Sequence, residues 1–248
     1  MAKKSIDLSW IIKDPIAHRG LHDTVFPENS LGSFQAAIKN NFPIEIDLQL
    51  TKDQKLVVFH DYDLQRMCGY PKKVIDCDLD FLTKLTLLKT SELVPSLKDT
   101  LNLVNGQVPL LIEIKTESFN KKIIDVLVSE LNDYQGLYAV QCFNPKMLHY
   151  LKKRYPSIIR GILSCEFKLE TFSFLKRIIL SKMYLNFWIK PHFIAYQFQS
   201  LKKLNIKKYQ NKNIVVLAWT LRSQDDTNKI KCYCQNIIFE GFIPIIDE

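Results

Sequence analysis

The chain has 248 residues, with 34 Lys and Arg against 26 Asp and Glu, for a formal net charge of +8. Its hydrophobic share of 47% and charged share of 24% lie in the globular range and exclude a disordered chain. No apolar run is long enough to span a bilayer, and no zinc-finger spacing, basic-region heptad or aromatic-rich RNA motif points to nucleic acid.

At the amino terminus, Asp7, Lys13 and Asp14 interrupt any apolar core behind Lys3 and Lys4, so no secretory signal is expected. The first strand-like run is Ile16-Ala17-His18, with Arg19 and Gly20 behind it. Asn29-Ser30 is a helix start ahead of Leu31, Phe34, Ala37 and Ile38, which follow helical spacing. Residues 44–50 alternate strictly. Side chains on a strand alternate between faces, so Glu45, Asp47 and Gln49 share one face and Ile44, Ile46, Leu48 and Leu50 the other. Two carboxylates on neighbouring positions of one face repel each other, and a hard dication with oxygen ligands resolves that conflict. The competing reading is the polar face of an edge strand.

The strand-like run 56–60 follows too closely for a helical crossover. Residues 51–55 read as a turn, leading to an extended stretch or a short hairpin arm that ends at His60-Asp61. Little periodicity marks 62–93, which contains Gly69-Tyr70-Pro71 and reads as a long loop or short insertion; Asp63 receives no role. In the run 108–115, Glu113 and Lys115 share a face at the carboxyl end of an apolar strand, where α/β sheets bind ligands. A solvated ion pair is the alternative. Further strand-like runs fall at 138–143, 158–163, 193–198, 214–219 and 236–239. Asn144-Pro145 looks like the start of a helix over 147–155. Strand–helix alternation around one apolar core argues for a parallel α/β architecture in a single domain, 1–248. The six cysteines follow no metal spacing, Cys232-Tyr233-Cys234 being a lone CxC, and read as reduced thiols of a cytoplasmic protein. His149 and His192 read as hydrogen-bonded core residues, and His22 is unassigned.

The series His18-Arg19-Gly20, Pro27-Glu28-Asn29-Ser30, Glu45-Ile46-Asp47, His60-Asp61, Pro95-Ser96-Leu97 and Glu113-Ile114-Lys115 resembles, in order and spacing, the glycerophosphodiester phosphodiesterase family. That family lies within the phosphatidylinositol-specific phospholipase C-like superfamily. Gln141-Cys142-Phe143 is similar to the family's Gln-Ser-Phe, and Ala218-Trp219-Thr220 to its Ala-Trp-Thr. The resemblance runs from about 15 to 243. It implies a (β/α)8 TIM barrel with 62–93 as a short insertion over the barrel mouth. It implies that Glu45, Asp47 and Glu113 hold one divalent cation, Mg²⁺ or Ca²⁺, and that Arg19 and Lys115 bind the substrate phosphate. His18 and His60 become the acid–base pair, without a choice of which is which. Trp219 becomes a pocket residue for the glycerol moiety, or else a core aromatic. Glu28 and Asn29 fix the first loop, Glu28 also standing behind the residues that meet substrate.

The reaction so implied is hydrolysis of a small glycerophosphodiester to sn-glycerol 3-phosphate and an alcohol through a cyclic phosphate. The alternatives are lysophospholipid or teichoic-acid-like glycerol phosphate as substrate at a membrane surface, and a non-catalytic barrel that binds glycerophosphate groups. Cys142 departs from the family's serine, and Phe239-Glu240-Gly241 stands where many relatives carry Thr-Asp. The stretch 171–193 sets Phe172, Phe174, Leu175, Phe187 and Trp188 among Lys176, Arg177, Lys182 and Lys190. It reads as a barrel helix with an apolar inner face and a buried turn; the alternative is peripheral contact with anionic lipid.

Overall fold

The structure is a computed structural model that describes residues 7–167, 173–204 and 206–245. The chain divides into two compact units, one of residues 16–138 and one of 1–15 with 139–248.

The first unit is built on β1 (Ile16–Ala17), β2 (Ile44–Leu50), β3 (Leu56–Val58) and β4 (Leu110–Ile114). β2 runs parallel to β1 and β4 and antiparallel to β3, so the expected hairpin arm forms. All seven residues of β2 are buried, because partners cover both faces of the strand. The helix Leu31–Lys39 starts where Ser30 Oγ accepts a hydrogen bond from the Ser33 N–H at 3.0 Å, which satisfies one of the orphan donors of its first turn. The approach to that helix is tight. Gly20 has φ +82°, and a Cβ there would sit 2.4 Å from Ser33 Oγ and 2.9 Å from the Ser33 carbonyl carbon. Only glycine fits such a position.

Residues 62–93 form short helices, Gln65–Cys68 and Leu79–Leu82, with a 3₁₀ turn at Val74–Asp76. They enclose a small core in which Leu64, Met67, Val74 and Leu82 pack with Val57 and Phe59. The loop is thus a packed subassembly on the β3 arm. Its apolar residues are too scattered to show a period.

The second unit holds β5 (Tyr138–Cys142, its first residue in the first unit), β6 (Arg160–Ser164), β7 (Phe193–Gln197), β8 (Val215–Leu221) and β9 (Asn236–Phe239), parallel and in that order. Asn144 caps the helix Pro145–Arg154, with Pro145 in its first turn. Asn236 Nδ2 donates to the Ile11 and Asp14 carbonyls, both at 2.7 Å, and so fixes the short helix Ser9–Lys13. Arg160 is buried and donates to the Ile189 and Lys190 carbonyls, while its backbone N–H donates to His192 Nδ1 at 3.1 Å. His149 stacks on Trp188 at 3.8 Å between ring centroids.

The stretch 171–193 divides. Met183 and Ile189 are buried, as a buried turn requires, but the helix Phe174–Ser181 fully buries none of its residues: Ile178, Ile179 and Leu180 are half-buried while Phe174 and Leu175 are exposed, so the apolar inner face expected of it is only partly covered. Thr171 and Phe172 lie outside the described residues. Among the described residues, eight strands run parallel to a neighbour in their own unit, with helices between them and β3 as an antiparallel arm. The fold is a (β/α)8 TIM barrel.

Candidate active site

β2 supplies the centre of the site. Glu45 and Asp47 are each 1% exposed, and register sets Asp47 opposite Glu113 of β4. Glu45, Asp47 and Glu113 each bring a carboxylate oxygen within 4.8 Å of the other two. Gln49, the third residue on that face, is occupied. Its Nε2 donates to the Phe59 and Asp61 carbonyls at 2.8 and 2.7 Å, tying β2 to the loop that carries His60.

Two cations enter the cluster. Lys115 Nζ lies 3.0 Å from Glu113 Oε1 and 3.8 Å from Asp47 Oδ1. Arg19 leaves the end of β1 in the left-handed region, at φ 56°, which aims both its backbone and its side chain at the carboxylates. The Arg19 N–H donates to Glu45 Oε2 at 3.1 Å, Nε lies 3.2 Å from Asp47 Oδ2, and Nη1 donates to Glu28 Oε1 at 2.6 Å. Asn29 clasps Asp47 from the other side, donating from Nδ2 to Oδ2 at 3.0 Å and accepting the Asp47 backbone N–H at 3.3 Å.

His60 Nδ1 pairs with Asp61 Oδ1 at 2.7 Å. Asp61 is in turn gripped by Arg66, whose Nε and Nη2 donate to its two oxygens at 2.6 and 3.0 Å. The same guanidinium donates to both oxygens of Glu28, at 2.9 and 2.7 Å. Arg66 therefore joins the His60–Asp61 pair to the Glu28–Arg19 pair. Sequence reasoning names Glu28 but passes over Arg66, which lies in the stretch without periodicity. The available signal is its place five residues after Asp61, in the first turn of a short helix.

Charge and burial set the protonation states. Burial, then Asp47 and Glu113, push Glu45 well above the ordinary carboxylate value, against the pull of Arg19. Burial also raises Asp47, but Lys115, Arg19, His60 and His18 outweigh it and hold the group below its usual value. Both histidines thus stand close enough to act on Asp47. Burial first, then Lys115 and Arg19, keep His60 below its usual value in spite of Asp47 and Asp61. Asp61 is held down to about 2 because Arg66 and His60 outweigh its burial. Burial disfavours the Lys115 cation, yet Glu113 and Asp47 prevail and raise its pKa.

These features fit a hard divalent cation. Three buried carboxylates converge, and Asp47 Oδ1 is buried without a hydrogen bond. Glu45 is ionised only at a cost that a bound dication would remove. Trp219 lies on β8 and packs edge-on against Phe143 at 5.7 Å between ring centroids, its buried Nε1 without a hydrogen-bond partner.

The family model described as "Glycerophosphoryl diester phosphodiesterase family" matches residues 18–238. The Bacillus subtilis (strain 168) protein YhdW is 28% identical over 225 residues, covering 87% of this chain and 89% of that protein. Glycerophosphodiester phosphodiesterase 1 of Bos taurus is 24% identical over 261 residues, covering 92% of this chain and 76% of that protein. Among solved structures, an Oleispira antarctica phosphodiesterase in complex with the product sn-glycerol-3-phosphate is similar over 93% of both chains, at 22% identity and a TM-score of 0.77.

Proposed function

The chain belongs to the glycerophosphoryl diester phosphodiesterase family, and from that premise we propose that it hydrolyses glycerophosphodiesters to sn-glycerol 3-phosphate and an alcohol with the help of one divalent cation. The observation that carries this reading is the buried convergence of Glu45, Asp47 and Glu113 with Arg19 and Lys115 around them. Held by the three carboxylates, Mg²⁺ or Ca²⁺ would polarise the phosphoryl group and stabilise the charge that develops on it.

The chain's own residues do the rest. Arg19 offers a planar fork to the non-bridging phosphate oxygens, and Lys115 a point charge. Both cations are already oriented by carboxylates, so little reorganisation accompanies phosphate binding. Asp61 engages Nδ1 of His60 and leaves Nε2 for proton transfer. One of His18 and His60 takes the proton of the attacking glycerol hydroxyl, and the other protonates the departing alcohol. Water then opens the cyclic phosphate with the two roles exchanged. Glu28 and Arg66 hold these groups in register, and Trp219 is assigned to the glycerol side of the pocket. The same reading takes the chain as one domain and, on its six free cysteines, places it in the reducing cytoplasm.

The test is an assay of the purified protein on glycerophosphocholine, glycerophosphoethanolamine and lysophospholipids. Release of sn-glycerol 3-phosphate from a glycerophosphodiester, or of lysophosphatidic acid from a lysophospholipid, lost in His60→Ala, is expected. Binding of glycerophosphate without turnover of any of the three would make the chain a binder instead.

A further inference from the structure

The 42 residues 173–214 carry nine Lys and Arg and no Asp or Glu, so the net charge of +8 comes entirely from this stretch. Its first element is the helix Phe174–Ser181. At 3.6 residues per turn, Phe174, Leu175, Ile178 and Ile179 occupy an arc of roughly 140°, with Lys176 and Arg177 outside it. A helix of this length elsewhere in the molecule, Leu97–Val104, buries four residues; this one buries none, and Phe174 and Leu175 are 69% and 67% exposed. So short a helix does not persist in water on its own propensity.

Tethers hold it in place. Arg177 Nε donates to the Phe167 carbonyl at 2.6 Å, Ser164 Oγ to the Leu180 carbonyl at 3.0 Å, and the Tyr196 hydroxyl to the Ser181 carbonyl at 3.3 Å. Ser164 and Tyr196 lie at the carboxyl ends of β6 and β7, so the apolar arc is presented at the strand ends where (β/α)8 folds meet their ligands. The turn that follows, running towards the amino end of β7, adds two more exposed aromatics. Tyr184 and Phe187 are 55% and 77% exposed. They border a groove of about 480 Å³ that Asn186, Lys190, Lys208 and Lys212 also line. The amide nitrogen and oxygen of Asn186 are both buried without a hydrogen-bond partner.

We propose that this face docks the protein on an anionic lipid bilayer. Exposed aromatic and aliphatic tips flanked by cations, with no acid within residues 173–214 and the nearby Glu166 taken up by Lys203, match the two layers of a bilayer interface. The exposed edge of the arc, Phe174 and Leu175, enters the acyl boundary, and the lysines meet the phosphates. The lysine-lined groove beside Asn186 is placed to take one lipid headgroup phosphate. An acidic protein partner or a nucleic acid would use the charge but leave Phe174, Leu175 and Phe187 in water.

The test is co-sedimentation of the full chain with vesicles of phosphatidylcholine alone and of phosphatidylcholine with phosphatidylglycerol, at low and high salt. Binding to the anionic vesicles that weakens as salt rises is expected. The double variant Phe174→Ser, Phe187→Ser should bind about tenfold more weakly with an unchanged thermal midpoint, and Lys208→Gln, Lys212→Gln should flatten the salt dependence. The proposal is overturned if anionic vesicles fail to sediment the protein. It is equally overturned if the Phe variant binds as the parent does, or if single-stranded DNA binds as tightly and that binding ignores the Phe pair. Self-association of the parent that the Phe variant abolishes, without vesicle binding, would assign the face to a second copy.

Discussion

Asp47 meets two cations, an asparagine and two neighbouring carboxylates, while Glu45 beside it stays difficult to ionise. That asymmetry separates stability from activity. A carboxyl group whose folded pKa is raised gives stability below its unfolded value and loses it as pH rises, so at neutral pH Glu45 destabilises the metal-free protein. Glu45→Gln should therefore raise the thermal midpoint of the metal-free protein while cutting turnover by about a hundredfold or more. An unchanged turnover, or a lower midpoint, would contradict this placement of the charge.

His192 acts on stability alone. Burial, then Arg160, depress it to about 4 from 6.5. Between those values the unfolded chain binds a proton that the folded chain does not, so stability falls as pH drops from 6.5 towards 4. His192→Asn, whose amide oxygen can accept the Arg160 N–H in place of Nδ1, should flatten that slope in denaturant titrations. A slope equal to the parent's would mean another group dominates.

At the scale of elements, the short helix Gln65–Cys68 matters through one side chain. Arg66 is half-exposed, so its ion pairs add little to stability. Its value lies in position, since one guanidinium fixes both Asp61 and Glu28. Arg66→Ala should lower kcat about 10- to 100-fold while the thermal midpoint barely moves. Arg66→Lys should not restore it, because an ammonium cannot serve two carboxylates as a fork. Full rescue by lysine would reduce Arg66 to a surface charge. Strict alternation in 44–50 made Glu45 and Asp47 legible, and the period of two did the same for Glu113 and Lys115. Arg66 was not legible, because the contacts that define it join residues 28, 61 and 66 through tertiary packing. The helix Phe174–Ser181 misled for a related reason. An apolar arc marks a face to be covered but does not name what covers it.

Over the whole molecule, the strands from β1 to β9 match the expected runs to within two residues at either end, because apolar runs bounded by polar turns carry their own limits. The antiparallel arm β3 followed from a connection too short for a crossover. The core inside 62–93 and the division into two compact units rest on contacts distant in sequence, which no local period records. Charge is also organised at this scale. One unit concentrates acid at a buried cluster, and residues 173–214 of the other concentrate base on a surface. No helix among the described residues is long and apolar enough to cross a membrane.

The most direct test of the carboxylate trio is metal add-back. Protein stripped with chelator and freed of it is assayed for release of sn-glycerol 3-phosphate from glycerophosphocholine as Mg²⁺ or Ca²⁺ is titrated in. The expected result is no release before addition, then saturation with one ion per chain, and neither in the triple variant Glu45→Gln, Asp47→Asn, Glu113→Gln. Full release from the stripped protein, or metal-restored release in the triple variant, would contradict the assignment.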